Sequence, residues 1–413
     1  MKISILLLYI FIQSFLCELI ESDDNYITVT YKIGNSGQRR VIFSYDEFYR
    51  YASDPSHGDY ILPPKNTTFS NDWQIEDCQM YVDGEKKSFS YYYTFPNEGL
   101  HTIKFVFNKN LKIQSTACMF KETSAYKIDL SHFNMKNVIY MNYMFDTSRS
   151  LESINFQNVN LENVIEMDSM FRWCTELKSL DLSYFYTPKL RVATQLFSNC
   201  KSLVEIKNFN LVTTYVENFN QMFQHCNSLK SLDLSKLDTR NAKSMKDMFY
   251  ECSSLTHLDV SNFNTSSVST MQEMFSFCSS LKSLDLTNFN TKQLNDMSFM
   301  FWECGALEKL EFNFNTARVK QMNSVFSGCK SLTSINLKNW RTERVKRMDN
   351  MFYNCWSLKH LDLSRFSTVN VETTASMFYN CKSLKYLDLR SFDMSEVQDK
   401  YNMFEGCPAK IIW

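Results

Sequence analysis

A Phe-x-x-Cys pair recurs at a fixed interval through most of this 413-residue chain. The interval is 26 residues, with one exception of 25. The cysteines of the series are Cys174, Cys200, Cys226, Cys252, Cys278, Cys304, Cys329, Cys355, Cys381 and Cys407. A fixed period of this length is typical of a solenoid, in which each repeat buries its apolar side against its neighbours. The period predicts the architecture but leaves the ligand open, because solenoids bind through variable surface residues.

A single repeat, Ser228 to Cys252, predicts a strand, a loop and a short helix. Leu232 and Leu234 have the alternation of a strand, and Thr239 is placed to cap the first amide groups of a helix. The apolar face of that helix would be Ala242, Met245, Met248 and Phe249. We therefore predict an α/β fold over residues 119–413. It would be a leucine-rich-repeat solenoid of about eleven coils, with a parallel sheet on one face, short helices on the other and the methionines in the core.

Three departures from the repeat are visible. Ser148 takes the place of the first cysteine, and Asn208 takes the place of a strand leucine, which predicts a local distortion of the coil between Cys200 and Cys226. The coil from Cys304 to Cys329 has lost one residue between Phe312 and Phe314. We expect the distortion and the deletion to be absorbed in loops.

The segment 23–118 differs from the repeats and predicts a small all-β domain that caps the first coil. Ile27, Val29 and Tyr31 alternate with polar residues, as in a half-buried strand, and Asp83-Gly84 suits a tight hairpin turn. A cap is required because the end of a solenoid exposes unpaired strands and apolar surface. In an oxidising compartment, Cys78 and Cys118 are candidates for a disulfide bridge.

Residues 1–22 predict a signal peptide, because Lys2 precedes an apolar run that is too short for a comfortable membrane span. Secretion or cell-surface location would make Asn66 and Asn264 candidate glycosylation sites, since each begins an Asn-x-Ser/Thr sequon. No second apolar span follows, which predicts no membrane span in the mature chain. A formal net charge of −1 gives no electrostatic reason to expect nucleic acid as a partner.

Several independent columns of the repeat resemble one known family. The Leu-x-x-Leu-Asp-Leu-Ser strand, the Phe263-Asn264-Thr265 loop and the Met-x-x-Met-Phe-x-x-Cys ending are similar to the BspA-like leucine-rich-repeat surface proteins. The 25–26-residue repeat of that family also occurs in mycoplasma-type lipoproteins and in protists. The resemblance covers residues 119–407 and implies an exported repeat protein, with adhesion to host or matrix proteins in some relatives.

A column of charged residues gives the candidate binding face. Because side chains alternate along a strand, the residue between two inward leucines points to solvent. The acidic members of this column are Asp181, Asp233, Asp259, Asp285, Asp362 and Asp388. The lysines three residues upstream are Lys230, Lys282, Lys359 and Lys385, which would partly neutralise it. The column could hold a basic partner, or it could be an ordinary solvated face.

Catalysis and metal binding find little support in the sequence. The repeat cysteines lack the close pairs of a metal site, and they read as a buried column of free thiols or, alternatively, as a column containing a few bridges. The six histidines stand singly, and no nucleophile or phosphate-loop motif is present. We predict no enzyme activity, no cofactor and no metal.

The sequence thus predicts a non-catalytic protein-binding or adhesive surface, whose partner is an extracellular or cell-surface protein. The alternative is a structural component of a cell coat that packs side by side without a dedicated ligand. Concentration-dependent self-association would separate the two.

Overall fold

The computed structural model describes residues 25–35, 37–43 and 78–413. The predicted signal peptide and the sequon at Asn66 lie outside the described residues.

The N-terminal strands form an antiparallel arrangement that continues into the solenoid. Strand β1 (Asn25–Ile33) pairs along its whole length with β6 (Gly99–Phe107), and β3 (Gln79–Val82) pairs with the other edge of β6. The predicted alternation is confirmed, because Ile27, Val29 and Tyr31 are fully buried. A separate pair joins β2 (Gly37–Arg40) to β5 (Tyr92–Phe95).

The predicted hairpin turn is also confirmed. Val82 of β3 pairs with Glu85 of β4 (Glu85–Lys87) across Asp83 and Gly84. Both central residues have positive φ, at 51° and 83°, which matches the right-handed twist of the flanking strands. Glycine is suited to this position because it has no Cβ to clash.

Strand β1 covers the first coil by pairing directly with it. Its other edge is antiparallel to β7 (Ala125–Asp129), and β7 is parallel to β8 (Ser153–Asn155) of the next coil. The resulting six-stranded sheet has the order β4-β3-β6-β1-β7-β8. The backbone edge of the first coil is therefore hydrogen bonded to the N-terminal strands.

Parallel strands one repeat apart continue the same ladder along the solenoid. They are β9 (Ser179–Asp181), β10 (Glu205–Lys207), β11 (Ser283–Leu286), β12 (Lys309–Phe312), β13 (Tyr386–Asp388) and β14 (Lys410–Ile412). Leu180 of β9 lies opposite Ile206 of β10, and Leu284 of β11 lies opposite Leu310 of β12. A second ladder of single parallel bridges runs from Ser115 to Asp399, with one bridge position per coil.

The prediction of short helices, and with it the α/β fold class, is wrong. The described residues contain no helix, and the repeats form a β-solenoid of about eleven turns. In the repeat that ends at Cys252, the expected helix is replaced by consecutive reverse turns whose third residues, Asp247 and Glu251, have φ of 55° and 57°. A positive φ at these positions is incompatible with a right-handed helix and suits a type II-like turn.

Hydrogen bonding explains why the chain turns here. Met245, Asp247, Phe249 and Glu251 donate their N–H groups to carbonyl groups of the next coil, at 2.7–3.1 Å. The alternate amides of Met248, Tyr250 and Cys252 close turns within their own coil instead. The backbone thereby exchanges the bonds of a helix for a ladder between coils. The residues predicted to be buried on the helix are buried on the turns, which confirms the methionines as core.

The threonine column has a different role from the predicted helix cap. The Thr291 hydroxyl donates to the Asn315 carbonyl at 3.1 Å and accepts from the Asn315 N–H at 2.7 Å. Thr265 makes the same two contacts with Asn290 in the next coil, at 3.2 and 2.8 Å. Each buried side chain thus acts as one rung of a third ladder between coils.

Phenylalanine rings fill the centre of every coil. Neighbouring rings from Phe120 to Phe404 stack with centroids 5.5–6.0 Å apart and planes within 12° of parallel. Ser148, in the place of a cysteine, donates its hydroxyl to the Phe120 carbonyl, just as the Cys174 thiol donates to the Phe145 carbonyl at 3.2 Å. The substitution therefore preserves the donor.

The two irregular coils behave as predicted. Asn208 adopts a φ of 51°, and its side chain donates to Asp181 at 3.0 Å. The shortened coil keeps strand β12 in register with β11, and Phe314 stacks on Phe289 and on Trp340. The missing residue is absorbed between Phe312 and Phe314, outside both contacts.

Candidate functional site

The predicted acidic column lies on an exposed surface, which we call the strand face. Its six predicted aspartates and four predicted lysines are exposed, except that Asp388 is half-buried. In the middle of the strand face, a shallow depression of about 300 Å³ is lined by polar side chains from three adjacent coils. The ionisable residues that line it are His257, Asp259, Asp285, Lys309 and Glu311. The structure therefore brings the central members of the column together.

Each aspartate of the column also holds a turn. The Asp259 carboxylate accepts a hydrogen bond from the N–H of Ser261 at 2.9 Å, two residues further along the chain. Asn155 accepts the same bond from Gln157 at 3.0 Å, and asparagine also serves at position 336. This is the Asx-turn geometry, which needs a side-chain oxygen but no charge. The sequence showed the column but not this structural role.

These hydrogen bonds keep the carboxyl groups ionised. Bonds from the backbone and side chain of Ser261 lower the pKa of Asp259, and bonds from Thr287 do the same for Asp285. Hydrogen bonds from Ser235 lower the pKa of Asp233. A donor that favours the charged form of a carboxyl group lowers its pKa. All three groups are therefore anionic at neutral pH.

The expected neutralisation of the column by the upstream lysines is not present. Within residues 78–413, no ion pair joins Lys230, Lys282, Lys359 or Lys385 to the six aspartates. Asp388 instead pairs with Arg390 at 2.6 Å. The charges of Asp233, Asp259 and Asp285, on three consecutive coils, consequently remain without an ion-pair partner in the described structure.

A second surface, which we call the turn face, carries aromatic side chains that the sequence analysis did not select. Tyr250, Phe277, Phe299 and Trp302 are half-buried and pack edge to face or tilted, with Phe277 and Trp302 centroids 4.6 Å apart. We call these four rings the aromatic strip. They occupy turn positions that read as helical in the sequence, so nothing marked them as a shared surface. Their alignment relative to the phenylalanine series was the available signal.

A buried charged cluster occupies the N-terminal end of the turn face. Asp146 is fully buried and accepts from Lys121 at 2.6 Å and from Arg172 at 2.9 Å. Burial raises the pKa of the neighbouring Asp168 to about 6, although hydrogen bonds from Tyr143 and Ser169 oppose the shift. A buried carboxylate needs such partners, because removing a charge from water is costly. The cluster connects three successive coils and has the contacts of a structural element.

Comparison with known families gives one match. The family described as "Mycoplasma protein of unknown function, DUF285" matches residues 114–232, 217–334 and 307–411, which together span well over half of the chain. The chain belongs to the DUF285 family. No curated protein matches the chain.

Membership of DUF285 supports a repeat solenoid and leaves the finer resemblance unconfirmed. The three overlapping matches agree with the repetition seen in the coils. They do not establish a BspA-like leucine-rich repeat, and the turns found in place of helices differ from the strand–helix unit that the resemblance implies.

The repeat cysteines of this DUF285 solenoid are free thiols. Nine of them, from Cys174 to Cys381, are buried and donate to a phenylalanine carbonyl of the preceding coil at 3.0–3.3 Å. Burial raises the pKa of each thiol, to about 12 for Cys278. A buried neutral thiol is a small apolar group and a poor nucleophile.

The predicted Cys78–Cys118 bridge is not formed in the described structure. Cys118 is a free, buried thiol with a φ of 61°. Its N–H donates to the Asn142 carbonyl at 3.0 Å, which fixes it in the first coil, whereas Cys78 directly precedes β3. The two cysteines thus belong to differently ordered elements.

The remaining predicted positions are compatible with their proposed roles. Asn264 is exposed at a turn, where its side-chain oxygen accepts from the Ser266 N–H at 3.0 Å, and its glycosylation stays a prediction. In the described part of the chain, no group of three histidine, cysteine or acidic side chains is arranged to hold a metal ion. Residues 25–35, 37–43 and 78–413 also contain no apolar helix of membrane-spanning length.

Proposed function

We propose that this DUF285 protein is an exported, non-catalytic scaffold whose strand face binds a basic region of an extracellular or cell-surface protein. The observation that carries the proposal is the run of Asp233, Asp259 and Asp285. These are three ionised carboxylates on consecutive coils without an ion-pair partner in the described chain.

The spacing of these charges suits a protein partner. Coils in a parallel ladder lie about 4.8 Å apart, so the carboxylates form a row that several cationic side chains can contact at once. The row is fixed by Asx turns and by three ladders of inter-coil hydrogen bonds, so little conformational entropy is lost on binding. Complementary charge would act chiefly on the association rate and on specificity.

The test uses a variant that removes charge but keeps the turns. Asp233→Asn, Asp259→Asn and Asp285→Asn together retain the acceptor oxygen, as Asn155 shows within the same column. We expect saturable binding of the purified native protein to intact cells or to a member of an extracellular-protein panel. The triple variant should bind about tenfold more weakly, since exposed ion pairs contribute about 0.2–1 kcal/mol each.

The matched control removes three exposed charges elsewhere. Asp393→Asn, Glu343→Gln and Glu396→Gln change the net charge equally, and Asp393 holds an Asx turn of the same kind. Equal binding by native protein and triple variant would exclude the strand face as the site. Absence of binding together with growth in mass on concentration would instead favour a coat component.

A further inference from the structure

The turn face contains a second acidic surface, and its aromatic rings differ from others nearby in what covers them. Trp173 has Arg149 and Lys201 over its ring, at 5.3 and 5.5 Å from the centroid. Trp356 likewise has two lysines over its ring, Lys330 and Lys382, at 5.4 and 4.9 Å. These distances are within the range of cation–π attraction. The chain itself therefore shows that aromatic rings in this part of the coil accept cationic side chains from neighbouring coils.

The aromatic strip lacks such a cover. Among the described residues, no lysine or arginine lies over the ring of Tyr250, Phe277, Phe299 or Trp302. The four side chains are half-buried, so part of each faces solvent. Rings with exposed faces attract cations through their quadrupole, and the attraction strengthens as water is excluded.

Carboxylates surround the strip. Asp247, Glu251 and Glu273 lie close enough to Tyr250 to raise the pKa of its hydroxyl, together with its burial. Asp247 is 5% exposed, and its Oδ1 atom has no hydrogen-bond partner, while Oδ2 accepts from Gln221 at 3.1 Å. A buried acceptor without a donor is costly and marks a place where a donor is missing.

The chain supplies only part of the positive charge that this surface needs. His225 contacts Glu251 at 2.8 Å. Lys246 is near enough to lower the pKa of Asp247 and Glu273, opposing the rise caused by their burial, but it forms no ion pair with either in the described structure. The surface therefore combines uncovered rings, carboxylates and an unsatisfied acceptor.

We propose that the aromatic strip, with Asp247 and Glu273, binds an arginine or lysine side chain of a basic protein segment. The aliphatic stem and the cationic head would lie over the rings, as Arg149 does over Trp173, and the head would donate to the carboxylates. This site is separate from the strand face and does not depend on the function proposed for it.

The test measures binding of a peptide of four Gly-Arg units, with a peptide of four Gly-Gln units as the uncharged comparison. Titration of the full chain at about 0.15 M salt limits attraction between distant charges. Residues at corresponding positions of other coils supply conservative variants. Phe277→Asn has a precedent in Asn354, and Trp302→Ser has one in Ser276. Asp247→Asn and Glu273→Gln correspond to Asn350 and Gln221.

We expect the aromatic pair of substitutions and the acidic pair each to weaken arginine-peptide binding by about tenfold. Tyr353→Ser with Tyr379→Ser is the matched control, because it removes two stacked rings from the same turn position elsewhere. That control and the strand-face triple variant should bind the arginine peptide like the native protein.

Three outcomes would overturn the inference. The first is equal binding of the two peptides, and the second is no saturable binding of the arginine peptide. The third is a loss confined to the strand-face triple variant, which would exclude the aromatic strip while supporting the proposed function.

Discussion

Each repeat cysteine is held by a hydrogen bond that crosses between coils. The Cys278 thiol donates to the Phe249 carbonyl at 3.2 Å, and the Cys304 thiol donates to the Phe275 carbonyl at 3.0 Å. Ser148 shows that the position requires a small donor rather than sulfur chemistry. The column is therefore part of the packing, and its abundance of sulfur carries no indication of redox function.

Thiol reactivity tests this interpretation. At pH 8, a disulfide reagent should modify Cys407 first, because it is half-buried, while the thiols from Cys174 to Cys381 react only after denaturation. The reason is that burial holds these thiols neutral, as with the pKa of about 12 for Cys278. Mass spectrometry of the labelled peptides identifies the sites. Rapid labelling of Cys278 in the native protein would contradict the buried column.

Asp168 gives the molecule a pH dependence of defined sign. Its folded pKa of about 6 lies above the value of 3.8 for an unperturbed aspartate, so the native state holds the proton more tightly. The free energy of unfolding should fall as pH rises from about 4 to about 6. At neutral pH, Asp168→Asn should raise it by up to roughly 2–3 kcal/mol. Urea denaturation at pH 4.5 and 7 measures this, with exposed Asp393→Asn as control. A variant with the native pH dependence would refute the assignment.

At the scale of the element, the threonine ladder replaces backbone pairing with side-chain pairing. Thr291 satisfies both the N–H and the carbonyl of Asn315, which no strand pairs at that corner. Thr291→Val keeps the shape but leaves both groups without a partner, so we expect a loss of about 2–4 kcal/mol. Thr291→Ser should lose much less, because the hydroxyl remains. Denaturant unfolding distinguishes the two, and similar losses for both variants would show that the methyl group matters instead.

The sequence predicted which residues are buried better than it predicted the element that buries them. Met245, Met248 and Phe249 have the spacing of a helical face, but successive reverse turns bring the same positions to one side. Asp247 and Glu251 carry no glycine-like signal for positive φ, so the turns could not be recognised from one repeat. The strand alternation was predicted correctly because a period of two has no competing interpretation there.

At the scale of the whole molecule, the N-terminal strands and the coils form one continuous system of hydrogen bonds. Val29 of β1 lies opposite Ile103 on one side and Ile128 of the first coil on the other. Because each coil contacts mainly its neighbours, damage at one end of a solenoid should spread only a limited distance.

Hydrogen exchange on a β1 variant tests this locality. Val29→Asp places a charge at a fully buried position, and amides of β7 and β8 should lose protection while those of β11 and β12 keep it. Val29→Ile, which remains apolar, is the control. Loss of protection across all strands together would show that the solenoid unfolds as a single cooperative unit.

The candidate sites show a similar division between pattern and contact. The exposure of Asp259 and its column follows from strand alternation and could be predicted. The absence of ion pairs to Lys230 and Lys282 could not, because it depends on how long side chains orient on a surface. The aromatic strip was also beyond prediction, since the turn geometry that aligns Phe277 with Trp302 was not apparent from the spacing.

The Asx turns separate what the fold needs from what a partner can read. Each turn requires one oxygen, and Asp129, Asn155 and Asp181 supply it equally well on successive coils. Charge can therefore be switched on or off, coil by coil, with little consequence for folding. The strand face is in this sense a writable linear code, in which a single Asp-to-Asn replacement changes one symbol and leaves the support intact.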